Sequence, residues 1–101
     1  MKLDRISVTV PKEIIEKSDK IAKEKLEDRS TVIRELLALG LHQYITEEAL
    51  KQYGEGKISM ENASEMAEVS IWKFLDLLKE RRIPIRYDLD DLKKEIESII
   101  T

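Results

Sequence analysis

Cysteine is absent from this chain. That excludes a disulfide framework, a zinc–thiolate site and a thiol nucleophile. Long apolar runs are missing too. Charged residues follow the opening methionine at once, with no stretch of signal-peptide or membrane-spanning length. The expectation is a soluble, cytoplasmic protein that does not engage a membrane. No internal repeat and no low-complexity tract is present. The single histidine, His42, has no nucleophile or carboxylate at catalytic spacing, and no acid–base or nucleophilic constellation occurs elsewhere. The reading is of a protein without enzymatic activity or cofactor. Strong charge imbalance is also lacking: the net charge is −3, so bulk charge does not announce nucleic acid. Asparagine and glutamine are scarce, a bias that leans toward a thermophile.

What the chain does have is 39% charged and 42% hydrophobic residues over 101 positions. That suffices for one compact domain or two very small ones. The stretch DRISVTV, residues 4–10, alternates cleanly. Arg5, Ser7 and Thr9 fall on one face and Ile6, Val8 and Val10 on the other, the period of a half-buried strand. Almost everything after it is patterned as helix, so this strand has no ladder partner in its own chain. Pro11 suits the first turn of a helix. From Lys12 onward Ile14, Ile15, Ser18, Ile21, Ala22 and Leu26 recur at three–four spacing, with Lys and Glu on the solvated face. Asp28 is placed to cap the next helix.

That next segment, TVIRELLALGLHQYI, is apolar around most of its circumference: Val32, Ile33, Leu36, Leu37, Leu39, Leu41, Tyr44 and Ile45. Such a helix is buried on more than one side. A unit of about 45 residues cannot bury it alone. With disulfides excluded and no metal site in view, a partner subunit remains, and Gly40 in mid-helix permits close helix approach. The expected dimer core is Ile6, Val8, Val10, Ile33, Leu36, Leu37 and Leu41. His42 is read as a surface or interface histidine.

A second module is expected from Thr46. EEALKQYGEG reads as a short helix ending at Gly54 or Gly56. Ser59 caps a short helix with Ala63, Met66 and Ala67, and the chain breaks at Glu68-Val69. Ser70 then caps a longer helix carrying Ile71, Trp72, Phe74, Leu75 and Leu78, with Trp72 and Phe74 both read as core. The arrangement is helix-turn-helix-like. Residues 46–85 hold six basic and eight acidic side chains, and Asp76 lies beside Ser70 and Lys73. A structural or partner-binding role therefore outweighs DNA contact there. The acidic cluster Asp88, Asp90 and Asp91 opens a final amphipathic helix and complements its dipole; no metal is assigned to it. Leu89, Leu92, Ile96 and Ile99 form that helix's stripe, which either packs back on its own module or docks into a partner's groove.

RISVTVPKEIIEKSDKIAKEKLEDRSTVIRELLALGL resembles the ribbon-helix-helix repressors of the Arc/MetJ/CopG superfamily over roughly residues 3–45. The resemblance implies a mostly α fold in which two chains each give one strand to an intermolecular antiparallel ribbon, followed by two helices. Residues 1–45 would then form the homodimerisation and DNA-binding domain, and residues 46–101 a helical module. The ribbon would enter the major groove of a double-stranded DNA operator. Arg5, Ser7 and Thr9 match the base-reading positions. Arg29, Ser30 and Thr31 match the phosphate contacts at the second helix, with Lys2 and Lys12 placed to add to them. The family often has Gly and then Ser before that helix, where this chain has Glu27 and Asp28, and a carboxylate beside phosphate is unfavourable. Residues 1–45 hold nine Lys and Arg against eight Asp and Glu. Affinity must therefore come from a few placed side chains and be modest and salt-sensitive.

The remainder resembles uncharacterised protein family 0175 through EGKIS, ASEMAEVS, WKFLDLL and IPIRYD, with Glu68 where that family usually has Gly. This resemblance implies an antitoxin paired with a PIN-domain ribonuclease toxin. In that plan Arg81, Arg82 or Arg86 meets the toxin's acidic active site, and Leu89, Leu92 and Ile96 dock on its surface. The expected function is a dimeric, sequence-specific DNA-binding antitoxin and autorepressor. The alternatives are a stand-alone ribbon-helix-helix transcription regulator, or a protein-interaction module that uses the ribbon only to dimerise.

Overall fold

The computed structural model describes residues 2–86 and 96–100. Leu89, Leu92, Asp88, Asp90 and Asp91 lie outside the described residues. The described residues are mostly helical and contain no strand. Two compact units divide the chain, Met1–Leu39 and Gly40–Thr101.

In Met1–Leu39, helix α1 (Lys12–Lys25) begins behind Pro11, whose φ of −56° feeds the first turn and whose carbonyl accepts the Ile14 N–H at 3.0 Å. Helix α2 (Arg29–Gly54) begins behind Asp28, whose Oδ1 accepts the Thr31 N–H at 2.7 Å. The expected break near Thr46 does not occur, and α2 continues to Gly54. Glu47, Glu48, Ala49 and Leu50 are all strong helix formers and carry the helix through one threonine. Residues 2–10 hold no regular element. The strand expected at DRISVTV is not formed within one chain, because a strand needs a second strand to complete its ladder. Among the described residues of this unit only Ser18, Ala22 and Val32 are buried. The Ser18 hydroxyl is satisfied by donating to the Ile14 carbonyl at 2.8 Å.

Gly40–Thr101 has a fuller core. Ala49, Leu50 and Tyr53 from α2 meet Ala63 and Ala67 around α3 (Met60–Met66) and Phe74 and Leu78 from α4 (Ile71–Glu80). The three alanines let backbones approach while the Tyr53 and Phe74 rings fill the centre, edge to face, with centroids 5.8 Å apart. Ser59 caps α3 by accepting the Asn62 N–H at 3.0 Å, and Ser70 caps α4 by accepting the Lys73 N–H at 3.1 Å. Trp72 is not core: it is 62% exposed, while Phe74 is fully buried. Two positions apart on a helix is about 200° of rotation, so Trp72 and Phe74 cannot share a face. Residues 96–100 are also helical, and Ile96, Ile99 and Ile100 are exposed.

Helices α1 to α4 end in the same way. One or two residues past each end, an N–H donates three residues back, and the next residue's N–H donates five residues back. The two donors are Leu26 and Glu27 after α1, Gly56 and Lys57 after α2, Glu68 and Val69 after α3, and Arg82 and Ile83 after α4. This is the Schellman closure, which needs a left-handed residue. Gly56 meets that need with φ 76°, but Leu26, Glu68 and Arg82 adopt φ of 55–56° despite their side chains. With three glycines in the chain, three of the four closures fall on residues that resist this conformation. At α3 and α4 the following residues, Val69 and Ile83, pack on the core and hold the turn. We expect Glu68→Gly to raise unfolding stability by about 0.5–1 kcal/mol and Glu68→Val to lower it. Paired denaturant titrations measure both, and a neutral Glu68→Gly would contradict the strain argument.

Candidate functional site

In Met1–Leu39 the three positions expected to read bases, Arg5, Ser7 and Thr9, are exposed, as is Lys2. The opposite row is exposed as well, with Ile6 at 72% and Val8 at 71%. Val10 lies at the edge of exposure, Ile33 is half-buried, and Leu36, Leu37 and Leu41 are exposed. The expected dimer-core residues are thus mostly uncovered in the single chain.

The expected phosphate contacts are largely occupied by the protein itself. Arg29 forks onto Asp19 of α1: Nε donates to Oδ1 and Nη2 to Oδ2, each at 2.7 Å. The hydrogen bond from Arg29 lowers the Asp19 carboxyl from its ordinary value, and the same bond raises the Arg29 guanidinium. Hydrogen bonding from Thr31 lowers Asp28. The Thr31 hydroxyl also accepts from Arg34 at 3.2 Å. Lys12 lies 3.7 Å from Glu16 in an exposed pair, and Ser30 is exposed. Beside them Lys25 pairs with Glu35 at 2.7 Å, which raises the lysine and lowers the carboxyl.

In Gly40–Thr101 the three arginines expected to meet a partner have distinct surroundings. Arg81 forks onto Glu47 of α2, with Nε 3.2 Å from Oε1 and a terminal nitrogen on the same carboxylate. Arg86 lies over the Tyr53 ring, its guanidinium carbon 4.4 Å from the centroid. Its Nη2 donates to the Ile58 carbonyl at 2.6 Å, and its backbone N–H donates to the Tyr53 hydroxyl at 2.8 Å. Arg82 is exposed in its left-handed conformation and makes no ion pair among the described residues. His42 sits 3.2 Å from the carbonyl that ends α3, that of Ala67. Among the described residues no three His, Asp or Glu side chains gather to hold a metal, and no helix is long and apolar enough to cross a membrane.

With this geometry in view, comparison places the sequence: residues 1–101 match the Uncharacterised protein family UPF0175. The chain belongs to this family. The match runs through residues 3–45 as well as the segment that carries EGKIS and IPIRYD, so one family covers both units. A UPF0175 protein of Archaeoglobus fulgidus is 41% identical over 51 residues, covering 50% of this chain and 59% of the relative. A second, from Aeropyrum pernix, is 39% identical over 49 residues, covering 48% and 55%. The matched stretches therefore span little more than half the length of these relatives. No solved structure matches this UPF0175 chain.

Asp19, Glu47 and Tyr53 are the participants that sequence reasoning missed. Each engages an arginine ten or more residues away on another element, and no helical spacing links them. The one available signal was charge bookkeeping: a near-neutral segment leaves few arginines without a carboxylate.

Two outcomes follow. Tyr53→Phe keeps the ring packing and removes one buried acceptor, so it should cost about 1 kcal/mol in unfolding stability; a neutral result by denaturant titration would remove the role given to that hydroxyl. Glu47 ionises below its ordinary value because Arg81 holds it. A carboxyl depressed by folding stabilises fully above its unfolded value of about 4 and loses that contribution as pH falls through the folded value. Glu47→Gln should therefore flatten the acid limb of a thermal-stability profile taken from neutral pH downward.

Proposed function

We propose that this chain is a dimeric, sequence-specific DNA-binding protein, the antitoxin and autorepressor of a type II pair with a PIN-domain ribonuclease. The observation that carries the reading is the imbalance within Met1–Leu39. Ser18, Ala22 and Val32 are the buried residues described there, while Ile6 and Val8 lie open in an alternating segment without a ladder. A buried set that small does not hold a unit of this size. The same segment from a second copy supplies both missing terms at once: ladder hydrogen bonds and cover for Ile6, Val8 and Val10. Gly40 supports close approach, since a Cβ there would meet nothing within 4 Å beyond its chain neighbours and its own helix backbone. Pairing then repeats Arg5, Ser7 and Thr9 on one ribbon, residue types suited to guanine and to mixed base edges.

The self-contained core of Gly40–Thr101 suits a second, separate task, which we assign to binding the toxin. Arg81 and Arg86 are engaged internally, so the partner-facing cation is Arg82, together with the exposed Ile96, Ile99 and Ile100. One observation favours a second reading, a ribbon that serves dimerisation alone: Arg29 is already paired.

Arg5→Ala should weaken operator binding by about 1–3 kcal/mol in a gel shift and leave the sedimenting dimer intact. Unchanged affinity would overturn base reading, and a folded monomer would overturn the shared ribbon. Co-purification with a PIN-domain ribonuclease encoded beside it separates the antitoxin from a stand-alone regulator.

A further inference from the structure

The fork that Arg29 makes on Asp19 is the geometry a guanidinium also makes on a phosphate: two parallel N–H donors on two oxygens of one anion. The pair is open to solvent, with side chains 55% and 39% exposed, so an incoming polyanion reaches it. An exposed pair is weak and readily exchanged. A phosphate that takes Arg29 also releases condensed counterions, which a carboxylate in the same protein does not. Displaced Asp19 remains beside the site as a like charge. Losing its partner and repelling the phosphate both act against binding.

We infer that Asp19 is a built-in competitor for Arg29, occupying it in the free protein so that duplex DNA binds there only by displacing the carboxylate. This inference rests on the DNA-binding reading above. Asp19 thereby sets the affinity and salt dependence of that interface without touching a base. The cation at that interface is thus masked until a duplex competes for it.

A phosphate contact acts on all sequences alike, so a fluorescent duplex of arbitrary sequence is a sufficient probe, titrated by anisotropy across a salt series. Asp19→Asn should tighten binding about three- to tenfold and steepen the dependence on log salt by about one unit per protomer. Asp19→Glu, which keeps the charge, should bind like the parent. In an Arg29→Gln background, Asp19→Asn should give a clearly smaller gain, since the competitor then has no target and only its like-charge repulsion is removed. Circular-dichroism melts of each variant establish that it is folded, and Asp19→Ser gives the same reading should the asparagine variant not fold. Weaker or unchanged binding by a folded Asp19→Asn, or an equal gain in the Arg29→Gln background, overturns the inference alone. A parent chain that binds no duplex at any salt overturns the DNA-binding reading, and this inference with it.

Discussion

The packing of Tyr53 is the interaction on which Gly40–Thr101 depends. One side chain meets three demands. Its ring edge closes the core against Phe74, its hydroxyl accepts the backbone of the segment leaving α4, and its face receives Arg86. A buried phenol is costly unless its hydroxyl finds a partner, and here the partner is the chain itself at residue 86. The core and the course of residues 83–86 are therefore set by the same group. Arg86, which composition alone would offer to a partner, is spent on that fixture.

Met1–Leu39 presents the opposite economy. Its charges are well matched, Arg29 with Asp19 and Lys25 with Glu35, but its apolar residues are not. Exposed ion pairs contribute little to stability. The matched charges therefore cannot substitute for the missing burial. They link α1 to the start of α2. A unit so built owes little of its stability to its ionic surface.

Local signals are legible in this sequence, and non-local ones are not. The caps at Asp28, Ser59 and Ser70 and the turn at Glu68 depend on neighbours within five residues, so the sequence displays them directly. The change of pattern at Thr46 does not divide α2, because the helix-forming run that follows carries the helix on to Gly54. Trp72 and Phe74 are both large and apolar, and only the angle between them on α4 separates the exposed ring from the buried one. The alternation at DRISVTV is a different case. Its pattern is legible, but a ladder is a property of two strands, and the described residues contain none. The carboxylate partners of Arg29 and Arg81 depend on how elements pack, which no spacing rule encodes.

The side chains that close α1, α3 and α4 in left-handed geometry bear on more than the folded state. A non-glycine residue there costs about 1–2 kcal/mol of local strain, but it also narrows the unfolded ensemble, which a glycine would widen. These two terms scale differently with heat. The strain is largely enthalpic, whereas the entropy withheld from the unfolded chain is multiplied by absolute temperature. Leu26, Glu68 and Arg82 are therefore least disadvantaged where the chain is hottest, and a glycine-poor sequence carries this bias at the C-termini of α1, α3 and α4.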